Sequence, residues 1–347
     1  MRFRIAEDDA ALAAAAAGLL AKEVTPQEIR AGWPGGSAGR VDAAWRRLAE
    51  LGALGTLVPE AADGLGLGLD ENALAPLLFE LGRSGLPVPA AESIAVGAPL
   101  LAAAGSPLLA EVLSARLLLT AALDGSGPVP FGQRADLLVL EAGAQLRLYR
   151  RDELELEPVA AVDGSRALAR LRRPPDGGGV LLAEGPIAVD RARQRGVLGT
   201  AALLVGLCER MLDLTVDYVR QRRQYGAPIG SFQAVQHALA GAAGAVRFAR
   251  PAVLAAAWSQ ASGEPAAAVA TSLAKVLASD AGRLVARTAI QCHGAIGYTT
   301  EYDLHLYAKR AWALAAAWGG PADHRELIAR ELELTRVHID ESGLSRR

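Results

Sequence analysis

Aromatic residues, cysteines and histidines are all scarce in this chain of 347 residues. Phe, Trp and Tyr make up 5% of it, whereas Ala and Leu are abundant, which favours helices over strands. The two cysteines, Cys208 and Cys292, lie within apolar helical patterns, so we expect free thiols and no disulfide framework. Among the five histidines, His293 and His305 have no cysteine or carboxylate at ligand spacing, so no metal site is predicted.

Net charge and long apolar runs are also lacking. The formal charge is −2, from 36 Lys+Arg and 38 Asp+Glu, so neither a nucleic acid nor a membrane surface is an expected partner. The most signal-like run, residues 10–21, follows two aspartates and is too short to span a bilayer. No other apolar run reaches about 18 residues, the length that a spanning helix needs. We therefore expect a cytoplasmic protein with no membrane span.

Hydrophobic patterning divides the chain into three regions. Residues 1–116 carry amphipathic helical patterns that end at glycines. Residues 117–190 hold short apolar or alternating runs separated by Gly, Pro, Asp and Ser, which is typical of β-strands. Residues 191–347 are rich in Ala and Leu and predict long helices in an up-down bundle, with Ser231 capping the second helix. The predicted fold is mainly α, with a small central β-domain between two helical regions.

The segment RQRRQYGAPIGSFQ, from Arg220 to Gln233, is the first motif that could carry chemistry. Cations in the last turn of a helix interact favourably with the helix dipole, and this alone accounts for Arg220 or Arg223. It does not account for the side chains of Gln224, Tyr225 and Gln233, which follow at once. An arginine fork, a flat ring and amide groups at one corner suit the diphosphate and base of a nucleotide.

A second motif, QCHGAIGYTTEYDLHLYAKR, lies at residues 291–310. Gly294 and Gly297 are three residues apart and let a backbone approach a ligand closely, with Gln291 one turn earlier. The alternative is that the two glycines only end a helix and turn the chain.

Together, RQYGAPIGSFQ and QCHGAIGYTTEYDLHLYAKRA resemble the C-terminal bundle of the flavin-dependent acyl-CoA dehydrogenases. The earlier segment WRRLAELGALGTLVPEAADGLGLGL is similar to the first helical domain of that family. The resemblance implies an α-domain, a central β-domain and a four-helix bundle that assembles as a dimer of dimers. It also implies FAD as cofactor, an acyl-CoA as substrate and an acceptor of the electron-transfer flavoprotein type.

The resemblance also gives the two motifs their roles. Arg222 and Tyr225 are implied to reach across a subunit interface, contacting the pyrophosphate and flanking the flavin nucleotide of an FAD held mainly by the neighbour. The backbone and amide of the second motif are implied to hold the adenylate end of the same FAD. The residues expected to contact FAD are Arg222, Gln224, Tyr225, Gln233, Gln291, Gly294 and Ala295.

The chain departs from the family where a catalytic base is expected. The family uses a glutamate to remove the α-proton of the acyl-CoA, and its usual position falls on Trp318. The alternative position, twenty-six residues before Arg222, falls on Gly196. Neither residue accepts a proton, so no catalytic residue is assigned. Glu209 and Glu301 are the nearest other carboxylates, and each fits a solvated helix face or a cap as well.

The β-region departs as well, because it lacks the family's Thr/Ser-rich loop and the Trp-containing strand that wrap the flavin ring. The family's Thr-Ser-Gln run after the usual glutamate is replaced by Gly320, Pro321 and Ala322. The sequence therefore indicates that this chain keeps the half of an FAD site that serves a neighbour and lacks the flavin half.

Three hypotheses follow. The departures resemble the short subunit of heteromeric actinobacterial acyl-CoA dehydrogenases, some of which act on CoA thioesters of steroid side chains. In that case a longer catalytic partner carries the glutamate and the flavin pocket, in a heterotetramer. The second hypothesis is a self-sufficient homomeric flavoenzyme with a relocated base. The third is a non-catalytic scaffold of the same fold.

Overall fold

We describe the fold from a computed structural model, which covers residues 7–333 apart from 62–63, 124–126, 174 and 176. Six α-helices and one π-helical segment precede the first strand in this part of the chain. Their bounds are α1 Glu7–Glu23, α2 Pro26–Ala31, α3 Gly39–Glu50, α4 Glu71–Ser84, the π-helix Ala91–Gly97, α5 Ala98–Ala103 and α6 Leu109–Leu113.

Amphipathic spacing explains how these helices pack. The apolar residues of α3 at positions 41, 45 and 48 recur every three or four residues, and all of them are buried. In contrast, α4 is buried on nearly all sides because α1 and α7 both pack against it. The helix ends at Gly85, which has a left-handed φ of 71° and so terminates the last turn.

Six strands follow, with four in one sheet of order β1-β2-β3-β6 and two in a separate pair, β4-β5. Their bounds are β1 Leu119–Ala122, β2 Leu137–Ala142, β3 Gln145–Arg150, β4 Leu156–Pro158, β5 Ala169–Leu171 and β6 Val180–Glu184. Side chains alternate between the faces of β2: Leu137 and Val139 join the main core, whereas Leu138 and Leu140 join a smaller cluster with Tyr149. The sheet is therefore covered on both faces.

Five helices make up the rest of the described chain. Their bounds are α7 Pro186–Gln221, α8 Gln233–Ala261, α9 Ala267–His293, α10 Leu304–Ala316 and α11 Pro321–Glu331. Helix α7 begins five residues earlier than the predicted start at 191, because Pro186 occupies its first turn, where proline needs no hydrogen bond. The predicted cap at Ser231 is wrong: its hydroxyl donates to the carbonyl of Pro228, and the helix begins two residues later.

Helix α7 is central to the molecule, because it packs against α4, α8, α9 and α10. Glycine allows α4 and α7 to approach very closely. A Cβ placed on Gly206 of α7 would lie 1.9 Å from the carbonyl oxygen of Phe79, and one on Gly82 of α4 would lie 2.2 Å from that of Leu203. The N-terminal helices and the bundle therefore share one continuous core.

Helix α8 has an unusual surface. Among the described helices it is the one whose length and composition would allow a membrane crossing, yet it packs along α9 as a bundle helix, and length and composition alone are weak evidence for a span. Only 22% of its most apolar 18-residue window is buried. An apolar helix with so little of itself covered is typical of a surface that another subunit occupies.

Candidate functional site

The first motif forms a sharp corner between α7 and α8. Helix α7 ends at Gln221, and Arg223–Gln224 then pairs with Ala227–Pro228 in a two-residue hairpin. Tyr225 and Gly226 at its tip have positive φ angles of 51° and 78°. Tyr225 is 94% exposed at this tip.

The three arginines of this corner are used differently. Arg223 donates to the carbonyl of Gly226 at 2.8 Å and so stabilises the hairpin. The side chains of Arg220 and Arg222 have no hydrogen-bond or ion-pair partner among the described residues. Arg220 is in the last turn of α7, but Arg222 lies just past it, in extended backbone. Arg222 is exposed at this corner, three residues before Tyr225 in the chain.

The second motif is at the same end of the bundle. The Tyr218 hydroxyl donates to the carbonyl of His293 at 3.3 Å, and the two rings stack at 4.3 Å. These contacts join the last turns of α7 and α9. Gln291, Gly294 and Ala295 all lie exposed there.

Gly294 has the conformation that a ligand-approaching glycine needs. Its φ of 66° and ψ of −143° disfavour other residues, and a Cβ built on it would meet nothing within 4 Å. The structure thus brings the two motifs to one end of the bundle, with Gln233 at the first position of α8. A free guanidinium, an exposed ring, exposed amides and an open glycine fit an extended dinucleotide diphosphate.

A second feature is a cavity of about 1000 Å³ between the sheet and the other end of the bundle. Its apolar wall includes Leu123, Val197, Trp312 and Trp318. The two positions where the family places its base meet here, because a Cβ on Gly196 would lie 2.5 Å from the Trp318 ring. The indole therefore covers the glycine, and neither position offers a carboxylate to the cavity.

Two buried residues donate hydrogen bonds to the turn that carries Trp318. Lys275 is fully buried, and its Nζ donates to the carbonyls of Leu314, Ala315 and Gly319, each at 3.1 Å. Burial lowers the pKa of this amine to about 7. Burial also lowers the pKa of His324, so the neutral ring donates from Nε2 to the Trp318 carbonyl at 2.9 Å and accepts at Nδ1 from Ser272.

Four buried charged groups lie next to the cavity. Asp163 accepts from the Arg310 guanidinium. Arg166 lines the cavity, and its Nη2 lies 3.8 Å from Oε1 of Glu92. Burial raises the pKa of the Glu92 carboxyl, while Arg166 and the Trp318 indole N–H oppose this rise. Glu92 is on the π-helix, a form that often occurs at functional sites.

Sequence reasoning missed Glu92, Arg166 and Lys275. Glu92 did give a signal, since it is the one charged residue of the apolar stretch PVPAAESIAVG. Lys275, in SLAKVLAS, has the pattern of an ordinary surface lysine, and only the packing of α10 over α9 buries it.

The other two candidate carboxylates do not lie on the cavity. Glu209 accepts from Arg250 at 2.7 Å and lies 3.8 Å from Arg83, which makes it part of an ion-pair network between helices. Glu301 is exposed in the turn after the second motif, where its backbone N–H meets the Thr299 hydroxyl. The structure gives each of them a structural role.

The corner and the cavity lie at opposite ends of the bundle. Gly196 and Arg222 are 26 residues apart, about three quarters of the length of α7, which at 1.5 Å per residue is roughly 39 Å. At the cavity end, the Gln260 amide donates to the Thr271 hydroxyl at 2.8 Å. One bound nucleotide therefore does not contact both the Arg222 corner and the cavity of the same chain.

Two family models match the sequence. The N-terminal domain of acyl-CoA dehydrogenases matches residues 6–117, and the C-terminal domain matches residues 187–333. Acyl-CoA dehydrogenase IpdE2 of Mycobacterium tuberculosis is 34% identical over 322 residues, which cover 90% of this chain and 93% of the relative. Acyl-CoA dehydrogenase FadE27 of the same organism is 31% identical over 340 residues, with 84% and 88% covered.

Solved structures agree with these relatives. A chain of the ChsE4–ChsE5 complex from Mycobacterium tuberculosis superposes with a TM-score of 0.81 at 26% identity, covering 96% of this chain and 100% of that one. A variant of the Tcur3481–Tcur3483 steroid ACAD gives a TM-score of 0.80 at 28% identity, covering 95% and 99%. The chain therefore belongs to the acyl-CoA dehydrogenase family, whose members are FAD-dependent oxidoreductases acting on acyl-CoA.

Proposed function

We propose that this chain is the short subunit of a heteromeric acyl-CoA dehydrogenase and completes the FAD site of a longer catalytic partner. The observation that carries the proposal is that neither Trp318 nor Gly196 offers a carboxylate to the chain's own cavity, while the Arg222 corner lies roughly 39 Å from that cavity along α7. A corner so far from the cavity of its own chain serves the site of another chain. The ChsE4–ChsE5 complex, to one chain of which this chain is similar, is named for two different components.

The two positions where the family places its catalytic base support separate roles for this chain and its partner. Trp318 and Gly196 offer no carboxylate, and three of the four acidic residues that line the cavity have other partners, while the fourth, Glu331, is exposed at the end of α11. Glu141 and Asp190 both bind Arg193, and Asp323 accepts from the Gly320 N–H at the start of α11. We therefore assign the proton abstraction to a glutamate of the partner.

The residues of this chain then have binding roles. Arg222 neutralises the diphosphate, Tyr225 and the amides of Gln224 and Gln233 pack against the nucleotide, and the second motif receives the adenylate end. Bound FAD supplies the two-electron acceptor for α,β-dehydrogenation of a CoA thioester. Reoxidation by an electron-transfer flavoprotein-type acceptor is part of the proposal.

We further propose a bulky acyl group as substrate, such as a steroid side-chain thioester. The similar Tcur3481–Tcur3483 protein is described as a steroid ACAD.

One observation favours a second candidate, the self-sufficient homomer. Glu92 is a buried carboxyl with a raised pKa beside Trp318, and a raised pKa suits a general base. Glu92, however, is only 3% exposed and does not line the cavity, whereas Trp318 does. The relocated base would need the Trp318 ring to move aside.

The absorbance spectrum of the purified protein separates the candidates. We expect the chain expressed alone to carry little FAD and to reduce no dye with any acyl-CoA. Co-expression with a longer acyl-CoA dehydrogenase subunit that binds it should give a yellow complex that turns over. A stoichiometrically yellow, active homomer would contradict the two-subunit proposal and favour Glu92.

A further inference from the structure

Trp33 links three parts of the molecule. It lies in the loop between α2 and α3, and the ring of His305, in the first turn of α10, meets it edge-on with the ring centroids 5.9 Å apart. One turn further along α10, the ammonium of Lys309 lies 5.0 Å from the centre of the indole. A Cβ built on Gly164 would come within 3.0 Å of the same indole. Trp33 therefore joins the N-terminal helices to α10 and to the 3₁₀ turn Gly164–Arg166.

The imidazole of His305 is buried without a hydrogen bond. The residue is 8% exposed, and neither Nδ1 nor Nε2 has a partner among the described residues. The indole Nε1–H of Trp33 is likewise buried and unbonded there. The other two buried histidines of the described chain, His293 and His324, differ, because one ring nitrogen of each lies within 2.9 Å of a backbone carbonyl oxygen. A second proton on the His305 ring would therefore find no acceptor among the described residues.

The charges around His305 oppose its protonation as well. Burial lowers the pKa of His305 below the usual 6.5, and the cations of Lys309 on the same helix and Arg30 on α2 lower it further. The first turn of α10 adds the positive end of the helix dipole. Asp303 is the carboxylate that favours the charged ring, but it already accepts from the Arg30 guanidinium at 2.5 Å. The surroundings of His305 thus stabilise the neutral ring.

We propose that His305 and Trp33 form an acid-sensitive latch: protonation of the imidazole releases the Trp33 loop from α10 and loosens the Gly164–Arg166 turn. That turn contributes to the cavity, because Arg166 is part of its lining. The inference does not depend on the proposed function, since all of these contacts lie within this chain.

The direction of the pH effect follows from the two states of the loop. In the closed state the ring is buried and its pKa is lowered, whereas a released ring in water titrates near 6.5. Protonation therefore favours release. The closed state is fully favoured above pH 6.5 and loses this advantage as the pH falls below that value, by up to about tenfold per pH unit for one proton.

Hydrogen–deuterium exchange measured by mass spectrometry tests the latch in the full-length chain. The amides of Trp33 and Gly36 donate within the loop, and that of Ala167 donates to the Gly164 carbonyl, so peptides covering the two segments report release. After correction for the intrinsic rate at each pH, exchange of both segments in wild type should rise up to roughly tenfold from about pH 7.5 to about pH 5.5. In His305→Phe, which keeps a flat ring but does not titrate, the rise should be absent. His305→Gln gives the same test with an amide side chain if the phenylalanine variant does not fold.

His237→Gln is the matched control, because His237 is an exposed histidine of α8. It should keep the wild-type response. Equal exchange at the two pH values in wild type would overturn the inference, and so would a rise that persists in His305→Phe or disappears in His237→Gln. A rise of the same size throughout α8 and α9 would show general loosening in acid, which also overturns it.

Discussion

Arg222 and Arg220 are two residues apart, and both guanidiniums lack partners within the described chain. Comparing their alanine variants therefore tests which of them binds FAD at the corner between α7 and α8. A charge-assisted contact to a diphosphate contributes about 1.5–3 kcal/mol, so Arg222→Ala should weaken FAD binding by roughly one to two orders of magnitude. Arg220→Ala should cost only some tenths of a kcal/mol, because a helix-end cation interacts mainly with the dipole.

FAD titration of the two mutant complexes, followed by flavin fluorescence, measures the difference. Equal losses for Arg220→Ala and Arg222→Ala would show that the wrong arginine has been assigned to the diphosphate.

Lys275 gives a second prediction at the scale of one residue. Its pKa is about 7 when folded and 10.5 as the ordinary lysine value, so between these limits the unfolded chain holds a proton that the folded chain has released. Stability should therefore rise with pH across this window, by about 2 kcal/mol between pH 7 and pH 9. Well below pH 7 both states are protonated and the contribution is constant.

Urea unfolding of wild type and Lys275→Met at several pH values isolates this contribution. Methionine keeps the length of the side chain but does not titrate, so the rise should be absent from the variant. If the two proteins show the same pH slope, Lys275 keeps its ordinary pKa in the folded chain.

Single residues also show how far the sequence predicts the site. The motif residues lie together at one bundle end, as Arg222, Tyr225 and Gly294 show, because helix-end signals are local and visible in the sequence. Arg166 and Lys275 were not predicted, since their burial is set by segments far away in the chain. A lone charged residue in an apolar stretch, as at Glu92, is the sequence signal from which a buried charge could be predicted.

At the scale of helices, the contact between α4 and α7 depends on a missing side chain. Gly206→Ala would place a Cβ 1.9 Å from the Phe79 carbonyl oxygen, which is backbone and does not rotate away. The two helices would have to separate, so we expect a loss of about 1–3 kcal/mol in the free energy of unfolding.

Gly18→Ala is the matched control, because Gly18 is exposed in α1 and nothing lies within 4 Å of its Cβ position. Alanine should stabilise that helix by up to about 1 kcal/mol. Urea unfolding measures both variants. A Gly206→Ala protein as stable as wild type would mean that α4 and α7 do not approach this closely.

Elements were predicted well where periodicity is long and poorly where it is short. The long helices of the bundle extend over many turns, and their apolar spacing is unambiguous. Helix starts depend on one or two residues, which explains why α7 begins at Pro186 and why Ser231 bonds within its own turn. The pair of β4 and β5, three residues each, carries too little alternation to define its partner from sequence.

The molecule has two surfaces with a proposed function that remain exposed in the single chain. The Arg222 corner faces outwards at one end of the bundle, and α8 beside it leaves apolar residues uncovered. Phe248 on α8 is 75% exposed, and Leu273 and Leu284 on α9 are 46% and 43% exposed. Exposed apolar groups on adjacent helices mark an interaction surface. Under the proposed function, the partner subunit or a second copy covers it.

Phe248→Asp tests this assembly directly. A carboxylate buried without a cation is strongly unfavourable in an interface, yet it costs little on the surface of the isolated chain. We therefore expect the variant to fold with an unchanged melting temperature as a single chain, but to sediment as smaller species when mixed with the partner. FAD should be lost at the same time, because the Arg222 corner leaves the diphosphate when the subunits part.

Ile187→Asp is the control: Ile187 is 85% exposed in the first turn of α7, far from the corner, and its replacement should leave assembly and flavin content intact. Sedimentation velocity with simultaneous detection at flavin and protein wavelengths measures both properties in one run. A Phe248→Asp complex of full size with bound FAD would show that the exposed face of α8 takes no part in closing the flavin site.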